Sequence, residues 1–448
     1  MHTVELQGEG SGVKRTVLPS GIRVITETMP TLASETVGIW VDSGSRDETD
    51  RTAGSTHFLE HMLFKGTRTR TARQIAETFD RTGGESNAAT AKEYTCYYSR
   101  CLVDDLPVVT QLLWDMVLDS LIDPAEFERE RGVIIEELAM DADDPTDVLY
   151  ESFDSFVFGD HPLGRPIGAT KEQIAALPHE VLLEHHAANY IGPRLVFAAA
   201  GGQSHEAVVE QVLAATAHLP VPQAPGHTTE QPTAEAPAGS RPLAGSRPGR
   251  PERTAPGFRS GTLLVDKETE QQGIILGVPG LPEAHPDRFT FSVMYSLLGG
   301  GMSSRLFQSV REEHGLAYSV HCFASRYQDA GQFGIYAGCS PAQAQAVVDL
   351  CAAEFARLAT QTPAEDEVAA VIAQASGSTM LGLESSAARM NRLARLEMSG
   401  QPFESPMDAL ARVRAVTPEM VRDLAARLHA QDAALVTVGP AKSLHLPD

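Results

Sequence analysis

Residues 221–258 set the strongest limit on how this chain can fold. The stretch VPQAPGHTTEQPTAEAPAGSRPLAGSRPGRPERTAPGF holds eight Pro and five Gly in 38 positions. Large apolar side chains are nearly absent from it, so no core can form there. The 448-residue chain is therefore expected to divide into a half at 13–220, a flexible linker at 221–258 and a half at 259–445.

The two halves share a grammar. Val17, Ile22, Val24 and Ile25 flank a Pro-Ser-Gly turn, and Val37, Ile39 and Val41 alternate cleanly, as strands do. Helices are predicted near 54–65, 72–82, 104–120 and 124–141, with a strand pattern over 85–102. In the second half the pattern predicts strands near 261–278 and 316–338, and helices near 286–298, 303–313 and 341–358. The expected fold class is α+β: two similar α/β-sandwich halves, each a sheet with helices packed on it, joined by the Pro/Gly-rich linker.

The charge excludes some partners. The chain carries 36 Lys+Arg against 59 Asp+Glu, a net of −23, so nucleic acid and anionic membrane are not expected partners. Five cysteines without a CxxC pair imply neither a disulfide framework nor a cysteine zinc site. The first residues lack the basic and apolar regions of a signal peptide, and no apolar run approaches the length of a membrane span. A cytoplasmic location is expected.

The chemistry concentrates in GSTHFLEHMLFKGT. On a helix, His57 and His61 are i,i+4 neighbours on one face, where two neutral imidazoles can hold one Zn²⁺. Glu60 lies beside them without ligating. That is where a general base must stand to take a proton from water at the metal. H-x-x-E-H is the reverse of the H-E-x-x-H arrangement, but five positions with three fixed also suit a pair of surface histidines. A third ligand is needed to decide.

Candidates lie in DPAEFERERGVIIEELAMDADDPTD. Asp123 caps a helix that has Pro124 in its first position and Glu126 at the third. Glu130 and Glu137 are two turns apart and share a stripe. One can ligate while the other stands behind it. Glu136 competes for the ligand role but points about 100° away, which favours Glu137. A solvated acidic face is the other reading. Residues 123–154 hold twelve Asp/Glu and two Arg, so part of the acidity borders the proposed site.

With these residues in place, the chain resembles the M16 metallopeptidases: pitrilysin, insulin-degrading enzyme and the mitochondrial processing peptidase. It is most similar to their processing-peptidase-like bacterial members. The resemblance covers nearly the whole chain except the linker. It implies a zinc endopeptidase with one Zn²⁺ per chain on His57, His61 and Glu137, Glu60 as general base and Glu130 as a second carboxylate needed for full activity. It also gives roles to Arg311 and Tyr318, which alone would read as a surface Arg and a core Tyr. They would bind substrate and steady the tetrahedral intermediate. Asn87 and Ala88 would pair with substrate as an edge strand, and Gly299, Gly300 and Gly301 would form a hinge or substrate-contact loop. His161, His185 and His186 read as structural or surface residues.

The implied substrates are peptides or unfolded proteins admitted to a closed chamber. Longer members carry four such domains, whereas this chain has length for two, so a homodimer is expected. Light scattering that gives only monomer at micromolar concentration would exclude it. The alternative is a non-catalytic scaffold subunit of a processing-peptidase-like complex, or a metal-binding module without peptidase activity.

Overall fold

The computed structural model describes residues 1–6, 12–219 and 253–447. These fall into two compact units that interleave along the chain. One comprises the described residues of Met1–Glu136, Ile167–Pro251 and Leu381–Ser405. The other comprises Glu137–Pro166, Glu252–Met380 and Pro406–Asp448. Of the linker expected at 221–258, residues 221–252 lie outside the described residues. Residues 253–258 carry no regular secondary structure, although the Thr254 carbonyl meets His161 Nε2 at 2.9 Å.

The first unit is built on a seven-stranded sheet. Its strands are β1 (His2–Glu5), β2 (Val13–Val17), β3 (Arg23–Thr28), β4 (Ser34–Val41), β5 (Ser86–Thr90), β6 (Thr95–Leu102) and β7 (Leu195–Gly201), in the order β1-β2-β3-β7-β4-β6-β5. β5 is therefore an edge. Seven of the eight residues of β4 are buried, as expected of a strand covered on both faces. Helices α1 (Ser55–Met62), α2 (Ala72–Thr82), α3 (Leu106–Asp119) and α4 (Pro124–Asp143) follow the predicted spans within a few residues. The Asp123 carboxylate accepts from the N–H groups of Ala125 and Glu126 at the start of α4.

The sequence does not foreshadow an exchange of helices. The helix Ser386–Ser399, which follows the linker, belongs to the first unit. Its Met390, Leu393 and Ala394 pack in one cluster with Val13, Ile25, Trp40, Val196 and Ala198. Its fully buried Glu397 takes a two-bond contact from Arg15 at 2.8 and 2.9 Å. Conversely α5 (Pro145–Phe158), which precedes the linker, belongs to the second unit. Each large apolar side chain so buried contributes about 1.5–3 kcal/mol, which is enough to anchor both exchanged helices.

The second unit is a five-stranded sheet of β8 (Gly261–Asp266), β9 (Gln272–Pro279), β10 (Ala317–Arg326), β11 (Gly331–Cys339) and β12 (Ala434–Gly439), ordered β10-β11-β9-β12-β8. Leu149, Phe153 and Val157 of α5 cover one face, against Ile275, Val436 and Val438. The other face carries the main core, with Phe291, Phe333, Phe355 and Leu424 fully or almost fully buried. The α-helix expected over 303–313 is replaced by a π-helix at Phe307–Glu313. There His314 N–H reaches back five residues to the Ser309 carbonyl. Among the described residues no helix is long and apolar enough to cross a membrane.

Candidate metal centre

The site grows from α1. Phe58, Leu59 and Met62 are fully buried, so the opposite side of this short helix must carry His57, Glu60 and His61, all half-buried. Phe58 stacks on Phe127 of α4 with ring centroids 4.4 Å apart. That contact holds the two helices together. α4 runs unbroken from Pro124 to Asp143, so Glu130 and Glu137 are carried on one continuous helix.

Among the described residues one group of His, Cys, Asp and Glu side chains can hold a metal: His57, His61 and Glu137. Their ligand atoms all lie within 4.8 Å of one another. Two imidazoles and one carboxylate are a donor set suited to Zn²⁺ with an open position for water or substrate. Burial, together with the neighbouring His61, holds the His57 imidazole down at about 4. It is therefore neutral at pH 7, as a ligand must be. Glu136 is exposed and outside the group.

Glu130 stands behind the ligands. Its Oε1 lies 2.9 Å from His61 Nδ1 and its Oε2 lies 2.7 Å from Lys65 Nζ. Burial alone would raise this carboxyl. The hydrogen bonds from His61 and Lys65 outweigh that effect, and the net direction is down. An ionised carboxylate can only accept, so Nδ1 of His61 is the donor and Nε2 is left with its lone pair for a metal. Glu60, on the same helix as the two imidazoles, accepts a hydrogen bond from Thr90 Oγ1 at the end of β5.

The other predicted residues are placed as follows. Asn87 is exposed on the edge strand β5, and its Oδ1 accepts from the Ala88 N–H at 2.9 Å. Arg311 and Tyr318 belong to the second unit. The Arg311 guanidinium lies 4.7 Å from both the Phe307 and Tyr318 ring centroids and donates to the Tyr318 carbonyl at 2.8 Å. Tyr318 is 75% exposed, so it is not the core residue that it would read as without the resemblance. Its position at the start of the edge strand β10 leaves it open. The glycine run is divided. Gly299 is the buried last residue of the helix Arg288–Gly299, where a Cβ would lie 2.6 Å from Cys322 N and Sγ, so only Gly300 and Gly301 remain as loop. His186 Nε2 meets the Val117 carbonyl at 2.8 Å, and His185 Nε2 lies 3.3 Å from Thr56 Oγ1.

Residues 23–171 match the family model described as insulinase (peptidase family M16), and residues 176–375 match the peptidase M16 inactive domain. A protein of Streptomyces coelicolor named an uncharacterized zinc protease is 43% identical over 430 residues, spanning 96% of this chain and 90% of its own length. One of Bacillus subtilis with the same description is 35% identical over 432 residues, spanning 96% of this chain and 99% of its own length. Two solved structures share the fold. A peptidase M16 inactive domain from Pseudomonas fluorescens gives a TM-score of 0.85 at 18% identity, over 97% of this chain and 100% of the other. A protease from Helicobacter pylori gives 0.84 at 20% identity, over 95% and 98%.

Proposed function

The chain belongs to peptidase family M16, and on that premise we propose that it is a zinc-dependent endopeptidase of peptides or unfolded polypeptides. The observation that carries the reading is the convergence of His57, His61 and Glu137, with Glu60 on the same helix as the two imidazoles. Zinc held by those three residues supplies Lewis-acid activation of water and of the scissile carbonyl.

The chain's own residues do the rest. Glu60 takes a proton from the attacking water and returns it to the leaving amine. The Thr90 hydroxyl holds the Glu60 carboxylate in place for both transfers. Glu130 keeps His61 in the tautomer and orientation of a ligand. β5 offers an open backbone edge, with Asn87 and Ala88 at its centre, for pairing with an extended substrate. Tyr318 presents an exposed phenol as a donor to a developing oxyanion. Arg311 is held by the Phe307 ring and by the ring and carbonyl of Tyr318, which suits it to fixing that phenol. A non-catalytic scaffold role is not favoured, because the donor set and the base are all present.

The test is cleavage of an internally quenched peptide library. The protein should cleave it, lose the activity on treatment with a zinc chelator and regain it when about one equivalent of zinc is returned. Cleavage that persists in the chelated protein would refute the metal mechanism. Stoichiometric zinc without cleavage of any peptide would favour a binding module.

A further inference from the structure

We infer that Glu48 is a positioning residue of the metal centre, its carboxylate closing the N-terminus of α1 and fixing the turn from which His57 projects. The inference rests on the metal-site reading above.

α1 has an unusual start. Gly54 precedes it with φ +84 and has no side chain to cap the helix. The first N–H groups of a helix have no partner within it, and here they are buried: Ser55 and Thr56 are 0% exposed. The acceptor comes from outside the helix. Glu48 Oε2 accepts from the Gly54 N–H at 2.9 Å, and Glu48 Oε1 accepts from the Thr56 N–H at 2.7 Å. Both carboxylate oxygens are thus spent on the first turn, and Glu48 is itself only 6% exposed. A negative charge at this end also complements the helix dipole. His57 is the next residue along. A displaced first turn would carry the His57 imidazole out of the ligand group.

Glu48 is itself held. It follows the 3-10 turn Ser45–Asp47. The Ser45 and Arg46 N–H groups bond to the carbonyls of Ala91 and Lys92, and Arg46 Nη1 lies 2.7 Å from Glu93 Oε1. Residues 91–93 link β5 to β6. The same hairpin therefore braces the cap of α1 through Glu48 and the base Glu60 through Thr90.

Zinc dissociation constants, measured by competition with a chromophoric chelator on the full chain, test this. The comparison is among the parent, Glu48→Gln, Glu48→Asp and, as a control, Glu35→Gln. Glu35 is another buried carboxylate of the first unit that accepts from a backbone N–H, that of Gln203, but it caps no part of α1. Gln at 48 offers one acceptor atom and turns an NH₂ toward the other N–H. It should weaken zinc binding by roughly 10–100-fold, the range for loss of an outer partner of a ligand. Asp at 48 keeps the charge and should recover most of that loss. Glu35→Gln should leave zinc affinity within about twofold of the parent, as for a site that shares no partner with the ligands.

Glu48→Gln binding zinc as the parent does would overturn the inference, and so would Glu35→Gln weakening zinc equally. If Glu48→Gln does not fold, Glu48→Asp decides. One methylene shorter, the Asp carboxylate cannot meet both the Gly54 and Thr56 N–H groups as Glu48 does, so a residual few-fold loss of zinc affinity is expected, and a Glu48→Asp protein that binds zinc as tightly as the parent overturns the positioning role. A parent that binds no zinc overturns the metal-site reading itself, and this inference with it.

Discussion

Glu60→Gln is expected to keep about one zinc per chain and yet cleave a quenched peptide roughly 10²–10⁴-fold more slowly than the parent, the usual worth of a positioned general base. Glu60 is not in the ligand group formed by His57, His61 and Glu137, so the metal should stay. The amide is isosteric and can still accept from Thr90 Oγ1, the partner of the native carboxylate, so α1 should stay in place. What is lost is the capacity to take and return a proton. The loss should therefore fall on kcat, with KM little changed. Metal analysis alongside single-peptide kinetics checks both halves. Retained cleavage with zinc in place would remove Glu60 from the mechanism.

The parts of the site that lie on one helix are legible in the sequence. His57 and His61 share a face because i and i+4 must, and the two-turn spacing of Glu130 and Glu137 puts both carboxylates on one stripe. The 100° offset of Glu136 agrees with its exposure. The Asp123-Pro124 start of α4 follows from local capping chemistry. Contacts made across the fold leave no comparable trace. Glu48 reaches α1 from outside it, without the three-residue spacing of a capping box. Thr90 meets Glu60 from a strand 30 residues away, and only the packing of β5 beside α1 brings them together. The exchange of α5 and the helix Ser386–Ser399 depends on which sheet face each apolar stripe fits, and periodicity does not encode that. The π-helix at Phe307–Glu313 differs from an α-helix by one residue of hydrogen-bond register, below what side-chain spacing resolves.

Glu137→Gln is expected to lose its zinc, while Glu136→Gln keeps it. A neutral amide oxygen is a poor ligand beside two neutral imidazoles, because the charge that balances Zn²⁺ is gone. The drop in affinity should exceed the roughly 10–100-fold that loss of an outer partner costs. Glu136 is one position earlier on α4 and exposed, so its charge is screened by solvent and its removal should leave the ligand set intact. Peptide cleavage should follow the metal in both variants. Zinc per chain, measured side by side in the parent, Glu136→Gln and Glu137→Gln after exhaustive dialysis, tests the proposed centre most directly. About one zinc in the parent and in Glu136→Gln, with almost none in Glu137→Gln, is the predicted result. Zinc retained in Glu137→Gln, or lost from Glu136→Gln instead, would contradict a metal site built from His57, His61 and Glu137.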